Sequence, residues 1–336
     1  MKKDTLLSIS KRTGYSVSTV SRVLAGKGKQ YRIGDKTIDY ITGVARSCNY
    51  TPDLIAQSLR TRKTNTIGLT IPSIDNPFFA TLSGVIINHL KSRGYNIILS
   101  DTMECENNET EALNSFLSRK VDGIIAVPVS HSPAYLESVS RSIPLILIDR
   151  YFEDTTLPYV CTDNYSGGYM ATEHLINKGY RNILAIQGVR SSMPNKERLR
   201  GFLQAVADHE DLGVTRLTCG DSFSVENGYN EMMAAFDSGF RPDAVFAFST
   251  TILLGVIKAV RELGLKIPDD VAVISFDNNR FLDYLDPSVT RVEQPVGVIG
   301  KLVADNIVKM VESDDRDTLA QSQILIRPTL IEGRSC

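Results

Sequence analysis

The sequence contains few of the residues from which disulfide frameworks and metal sites are built. Five of its 336 residues are cysteine, an odd number that forms no Cys-x-x-Cys pair. They are widely separated, at Cys48, Cys105, Cys161, Cys219 and Cys336. This scatter argues against a zinc site or a disulfide framework and is typical of a reducing cytoplasm. The four histidines are equally dispersed, so we expect no bound metal.

Membrane and catalytic signatures are also missing. The first five residues lack the apolar segment of a signal peptide, and no run reaches the roughly 18 apolar residues of a membrane span. The sequence contains no GxGxxG, GxxxxGK(S/T), HExxH or GxSxG motif. We therefore expect a cytoplasmic protein that is not an enzyme, needs no cofactor and contacts no membrane.

Charge is distributed unevenly along the chain. Residues 1–60 contain 11 Lys and Arg but only 4 Asp and Glu, a formal charge of +7, whereas the remainder carries −9. A chance fluctuation is the simpler alternative. A basic segment before an acidic body nevertheless suggests that only this segment meets a polyanion such as DNA.

Residues 16–24, Ser-Val-Ser-Thr-Val-Ser-Arg-Val-Leu, predict a helix with Val20, Val23 and Leu24 on one face. An apolar-periodic run at residues 6–12 and a glycine turn precede it, which is the helix-turn-helix pattern. Short polar side chains allow a helix to approach DNA base edges closely, and an arginine can bind guanine through two hydrogen bonds. An ordinary surface helix pair remains the alternative, and Val17 alone fits either a core or a DNA-facing position.

A third helix is expected near residues 35–48, which would complete a small helical domain. Residues 52–60 could form a two-turn helix, although a plain linker is the simpler interpretation because so short a helix is marginal in water. From residue 66 onward, strands and helices alternate through two units of similar size. The strands are continuous apolar runs, as expected for parallel sheets covered on both faces. The expected fold is thus an all-α helix-turn-helix head and an α/β core of two doubly wound parallel sheets.

Ligand-binding loops in such sheets follow the carboxyl ends of the strands. Polar or aromatic residues follow several predicted strands and are candidates for a cleft between the two units. They are Asp75 to Phe79, Asp149-Arg150, Asp163-Asn164, Arg198 and Asp277-Asn278.

Several segments, in this order, resemble the lactose/galactose repressor (LacI/GalR) family of transcription regulators over nearly the whole chain. They are Ser18 to Leu24, Ala56 to Arg60, Asn76 to Phe79, Val121 to Ile125, Arg198 to Phe202, Ile267 to Val271 and Ser275 to Asn278. The resemblance implies a head at 1–50, a hinge helix and linker at 51–64, and an effector-binding and dimerisation core at 65–336. The core would be of periplasmic-binding-protein type, with subdomains near 65–160 and 161–290 and C-terminal segments crossing between them. It also implies a homodimer, or a dimer of dimers, on a pseudopalindromic operator in double-stranded DNA.

The family's DNA contacts can be placed residue by residue. The resemblance implies that Val17, Ser18 and Arg22 contact base edges and that Leu59 wedges into the minor groove. The implied contacts to the DNA backbone fall on Thr5, Ser16, Thr19, Ser21 and Lys27.

The family's effector contacts fall on Phe78, Phe79, Phe223, Arg198 and Asp277. Aromatic faces, a guanidinium and a carboxylate suit a small polar ligand, with a carbohydrate as the first expectation. The alternatives are a core position for the two phenylalanines and an ion pair between Arg198 and Asp277 that stabilises domain closure.

Two departures weaken simple ligand assignments. Ser249-Thr250 stands where many family members carry Asn-Asp, which weakens a simple hexose assignment. Ser192 and Pro194 occupy positions where purine-responsive members carry polar base contacts. A regulator with a small polar effector remains the leading interpretation. A ligand-binding protein without DNA function and a sugar-metabolising enzyme are the alternatives.

Overall fold

The computed structural model describes residues 4–50, 63–313 and 322–336. The chain divides into two compact units, Met1–Thr64 and Asn65–Cys336. Within the described ranges, we find no helix with the length and apolar character of a membrane span.

The first unit contains three helices around a small apolar core. They are α1 (Leu6–Thr13), α2 (Val17–Leu24) and α3 (Asp35–Ser47). Gly14 ends α1 in the left-handed conformation (φ 77°), which glycine adopts without steric cost. The core is formed by Ile9, Val20, Val23 and Ile41, so α2 buries the face that its sequence predicts.

The second unit contains two α/β lobes. The first lobe is a six-stranded parallel sheet in the order β11-β5-β4-β3-β1-β2. Its strands are β1 (Thr66–Ile71), β2 (Asn96–Asp101), β3 (Gly123–Ala126), β4 (Leu145–Ile148), β5 (Tyr159–Thr162) and β11 (Gln323–Ile326). Its helices are α4 (Pro77–Ser92), α5 (Glu106–Ser118), α6 (Ala134–Ser140) and α11 (Val296–Glu312).

The second lobe is a six-stranded sheet in the order β12-β10-β9-β8-β6-β7. Its strands are β6 (Asn182–Ile186), β7 (Thr215–Cys219), β8 (Ala244–Ala247), β9 (Ala272–Phe276), β10 (Thr290–Glu293) and β12 (Thr329–Ile331). Its helices are α7 (Asn164–Asn177), α8 (Met193–Asp208), α9 (Val225–Asp237) and α10 (Thr250–Glu262). The edge strand β12 runs antiparallel to β10, whereas the sequence led us to expect parallel strands alone.

The chain passes between the lobes three times. It leaves the first lobe after β5, returns through Gln294 and Pro295 after β10, and crosses again between β11 and β12. Both lobes are therefore completed by C-terminal elements. Helix α11 contributes Ile299, Val303 and Ile307 to the core of the first lobe.

The fold class expected from the sequence is confirmed. Most helices and strands lie where their apolar patterns predict them, but three short strands were not anticipated. These are β5, β10 and β12, each of three or four residues. Such short strands carry too little pattern to be distinguished from loops. The expected subdomain boundary at residue 160 falls inside β5, which pairs in the first sheet.

Candidate functional site

One cavity in the second unit is lined by loop residues from both lobes. We call it the inner cavity; it leaves about 20 Å³ for the centres of water-sized spheres, so it is a narrow space. It is lined by Asn76, Phe78, Phe79, Asp149, Arg150, Pro194, Arg198, Phe223, Ser249, Asp277 and Gln294. All five residues that the sequence assigned to an effector site therefore line the same cavity.

Aromatic rings form the apolar walls of the inner cavity. Phe78 and Phe79 begin α4, where the Asn76 side chain caps the helix by accepting a hydrogen bond from the Phe78 N–H (3.0 Å). Their rings pack edge to face at 5.1 Å. Both residues belong to the first lobe's core and also line the cavity. Phe223 lies on the second lobe, where its ring packs so closely on Gly188 that a Cβ there would overlap it.

Arg198 is held rigidly at the carboxyl edge of the second sheet. Its Nε donates to Asn164 Oδ1 (2.8 Å), and another nitrogen donates to the Phe248 carbonyl. The guanidinium lies 3.7 Å from the centroid of the Phe276 ring. Burial lowers the pKa of Arg198 from its ordinary value, while the Asp277 carboxylate opposes this change. An arginine fixed in this way presents a directed positive charge to the cavity.

Asp277 follows β9 and projects into the cavity through a turn of backbone with φ 76°. Its carboxylate accepts a hydrogen bond from Gln294 Nε2 (2.6 Å), and Gln294 Oε1 accepts one from Thr162 Oγ1 (2.6 Å). This Thr162–Gln294–Asp277 chain connects β5 of the first lobe with β9 of the second. Burial raises the pKa of Asp277, and Arg198 counteracts that rise. No salt bridge joins Arg198 and Asp277 among the described residues, although their opposite charges interact.

Asp149 is a second buried carboxylate in the same cavity. It follows β4 with φ 65°, and its side chain accepts no hydrogen bond from the described residues. Burial raises its pKa to about 6, although the charges of Arg150 and Arg198 pull the pKa downward. A carboxylate without a protein donor is ready to accept hydrogen bonds from a ligand.

Arg150 adjoins Asp149 and is bound by an acidic residue. Its two terminal nitrogens donate to the Glu104 carboxylate at 2.7 and 2.6 Å. The Arg150 guanidinium also lies 5.9 Å from the centroid of the Phe79 ring. The inner cavity thus combines two guanidiniums and two carboxylates with aromatic walls. This chemistry matches a small ligand with several hydroxyl groups.

The first unit presents a different kind of surface on α2. Val17 is 39% exposed, and Ser18 and Arg22 are also exposed, whereas Val20 and Val23 are buried. Val17 is therefore a surface residue and not a core residue. The Arg22 guanidinium stacks on the Tyr31 ring at 4.1 Å from its centroid.

Two of the residues expected to contact the DNA backbone, Thr5 and Ser16, cap the amino ends of α1 and α2. The Thr5 hydroxyl accepts from the Ser8 N–H (3.3 Å), and the Ser16 hydroxyl accepts from the Thr19 N–H (3.1 Å). A hydroxyl that accepts in a helix cap keeps its own O–H for donation. Ser21 and Thr19 are partly exposed, and Lys27 is exposed in the loop after α2. Leu59, the expected minor-groove residue, lies outside the described residues.

Six residues of the cavity lining were not among the five predicted effector contacts. Asn76, Asp149 and Arg150 were candidates for the cleft, and Pro194 and Ser249 stood at departures from the family pattern. Gln294 alone was not singled out. Gln294 follows β10, a strand that was not anticipated, so its position at a sheet edge gave no signal.

A helix-turn-helix unit and a two-lobed core with a polar cavity form the architecture of ligand-controlled DNA-binding regulators. Residues 172–336 match the periplasmic binding protein-like domain. The chain is 30% identical to the ribose operon repressor of Halalkalibacterium halodurans, with 98% of both chains covered. It is 32% identical to the HTH-type transcriptional regulator DegA of Bacillus subtilis, covering 99% of this chain and 98% of that protein.

A solved structure extends the likeness to the whole fold. The lac repressor dimer bound to operator and the anti-inducer ONPF superposes with a TM-score of 0.87, at 21% identity and 99% coverage of both chains. The chain belongs to the LacI/GalR family of transcriptional regulators, and the resemblance inferred from the sequence is confirmed. It is a DNA-binding transcriptional regulator.

Proposed function

We propose that this regulator represses transcription from the cytoplasm as a homodimer, or as a dimer of such dimers, on a pseudopalindromic operator. A carbohydrate or carbohydrate derivative in the inner cavity changes its operator affinity. The observation that carries this proposal is the Thr162–Gln294–Asp277 chain, because it places a ligand-facing carboxylate in contact with both lobes. A ligand that binds Asp277 therefore biases the arrangement of the lobes.

In this proposal the exposed face of α2 reads the operator. Val17, Ser18 and Arg22 contact base edges in the major groove, and Leu59 enters the minor groove. The DNA backbone is contacted by Thr5, Ser16, Thr19, Ser21 and Lys27. The exposure of Val17, Ser18, Arg22 and Lys27 and the +7 charge of residues 1–60 support this assignment. Residues 1–50 then form the head and 51–64 the hinge and linker.

In the core, residues 65–336, the effector lies against the rings of Phe78, Phe79 and Phe223. Arg198 donates hydrogen bonds to it and Asp277 accepts them. Aromatic walls pack on the apolar faces of a sugar ring, while fixed polar groups bind its hydroxyls. The name of the ribose operon repressor, a relative over 98% of both chains, makes a pentose the first ligand to test.

Operator titration tests the DNA part of the proposal by comparing two variants. Arg22→Ala should cost about 1–3 kcal/mol on the cognate site and relax the preference at one base pair. Lys27→Ala should weaken binding to all sequences alike. If Arg22→Ala weakened specific and non-specific binding equally, Arg22 would be a phosphate contact instead.

A thermal-shift screen against sugars, sugar phosphates, uronates and nucleobases tests the effector part. A ligand that binds the folded state raises the melting temperature by mass action. The stabilising compound must then change operator retardation by the wild-type protein. A protein that binds a ligand but retards no DNA would instead be a ligand-binding protein without DNA function.

A further inference from the structure

The Glu104–Arg150 ion pair is built more rigidly than a surface salt bridge. The Arg150 side chain is only 6% exposed, and both of its terminal nitrogens are engaged by the Glu104 carboxylate. Glu104 is held by strained backbone, since Met103 and Glu104 have φ values of 50° and 52°. The Glu104 N–H also donates to the Pro72 carbonyl at 3.0 Å. A loop conformation that costs free energy is thus maintained with Glu104 directed at Arg150.

Arg150 is also the residue shared by two neighbouring cavities. It lines the inner cavity and an adjacent cleft, which we call the outer cleft. The outer cleft is lined by Glu104, Arg150, Glu153, Asp154, Lys196, His131 and ten uncharged residues. The ion pair therefore lies where the two spaces meet, and a bound ligand would lie beside it.

The charges around these spaces do not favour an anion. In the inner cavity, the two carboxylates of Asp149 and Asp277 balance the two guanidiniums of Arg150 and Arg198. Adding the Glu104 carboxylate gives these five side chains a formal charge of −1. Glu153 and Asp154 outnumber Lys196 in the outer cleft. Arginine binds phosphate or carboxylate best through two parallel hydrogen bonds, and on Arg150 those nitrogens are already used by Glu104.

We propose that Glu104 is a specificity-determining residue that acts through Arg150: by occupying its guanidinium, Glu104 makes the inner cavity select uncharged ligands and reject phosphorylated or acidic ones. This inference rests on the proposed effector role of the inner cavity. Specificity of this kind comes from an unfavourable element directed against the competitor. An entering anion would be buried beside Asp149 and Asp277, with Arg198 as the one cation among the described lining residues that is outside a salt bridge, which is costly.

The test compares the full-length wild type with Glu104→Gln, which removes the charge and preserves the shape. Glu106→Gln, an equal change of charge on the nearby exposed start of α5, is the matched control. The probes are inorganic phosphate, D-ribose and D-ribose 5-phosphate, titrated by calorimetry at constant ionic strength. Inorganic phosphate probes Arg150 whatever the natural effector is.

Glu104→Gln should bind phosphate and ribose 5-phosphate at least tenfold more tightly than the wild type or Glu106→Gln. Adding Arg150→Gln to Glu104→Gln should abolish the gain, whereas Glu104→Asp should still exclude phosphate. Glu104→Ala serves as a second variant that removes the charge if Glu104→Gln does not fold. A gain in phosphate affinity that requires Arg150 would show that Glu104 selects ligands by charge, which a purely structural role of Glu104 does not predict.

Two results would overturn the inference. One is a wild-type protein that binds ribose 5-phosphate as tightly as ribose; the other is a folded charge-removing variant, with Gln or Ala at 104, without any gain for phosphate. The proposed effector role fails differently, if no compound in the screen changes operator affinity. A phosphate gain in the variant would still be measurable in that case.

Discussion

Asp277 is the residue on which effector control is expected to depend. Its carboxylate lies at the end of the hydrogen-bond chain that begins at Thr162 and passes through Gln294. We expect Asp277→Ala to retain operator binding but to lose the effector response. Loss of a charge-assisted hydrogen bond should weaken the ligand by about 1.5–3 kcal/mol, roughly ten- to a hundredfold.

Operator titration with and without the stabilising ligand measures this effect. Asp211→Ala, an exposed carboxylate of the same lobe, is the control and should respond like the wild type. An unchanged response in Asp277→Ala would place the effector elsewhere.

The ionisation of Asp149 makes the stability of the folded protein depend on pH. Its folded-state pKa of about 6 lies above the ordinary value of 3.8, because burial outweighs the attraction of Arg150 and Arg198, and Asp277 and Glu104 add repulsion. The folded state therefore binds this proton more tightly than the unfolded state. Its contribution to stability is fully present below about pH 4 and is lost as the pH rises through 6.

Asp149→Asn should consequently stabilise the ligand-free protein at pH 7.5, by up to about 3 kcal/mol, and have little effect near pH 4. Urea unfolding of both proteins at several pH values measures the difference. A difference that does not change with pH would show that the carboxyl has an ordinary pKa in the folded protein.

At the scale of elements, the placement of Arg198 depends on the contact between α7 and α8. These helices approach so closely that a Cβ on Gly168 would overlap the Arg198 carbonyl, and one on Gly201 would overlap the Tyr165 carbonyl. Gly168→Ala should therefore destabilise the core by about 1–3 kcal/mol, since backbone must move to admit the methyl group. It should also weaken effector binding, because Arg198 moves with its helix.

Gly84→Ala is the matched control. Gly84 lies within α4 with no atom within 4 Å of the position of a Cβ. Alanine there should be neutral or stabilising by up to about 1 kcal/mol. Chemical denaturation separates the two variants, and equal stabilities would mean that the α7–α8 contact can relax.

Long elements were predictable from the sequence, whereas their short neighbours were not. The apolar runs of β1 and β9 correctly implied strands, and Asp277 was correctly placed at a sheet edge. Gln294 is different, because its role depends on which strand ends meet in space. Local pattern carries no information about such long-range proximity. The Glu104–Arg150 pair joins residues 46 positions apart and was invisible for the same reason.

At the scale of the whole molecule, residues 1–60 carry a net positive charge and the rest of the chain carries a net negative charge. Operator affinity should fall steeply with salt, because residues 1–60 release counterions from DNA when they bind. A core fragment beginning at Thr64 should not retard operator DNA at any salt concentration. Retardation by that fragment would show that the acidic unit carries a DNA-binding surface of its own.

The three crossings between the lobes have a consequence for synthesis on the ribosome. The first lobe begins at β1, yet its sheet acquires the covering helix α11 and the edge strand β11 only after nearly the whole chain has been made. Ile67, Leu69 and Ile71 of β1 lack part of their packing until then. Apolar surface that stays exposed during synthesis invites aggregation. The arrangement that joins the lobes thus delays completion of the first lobe until its C-terminal elements have been made.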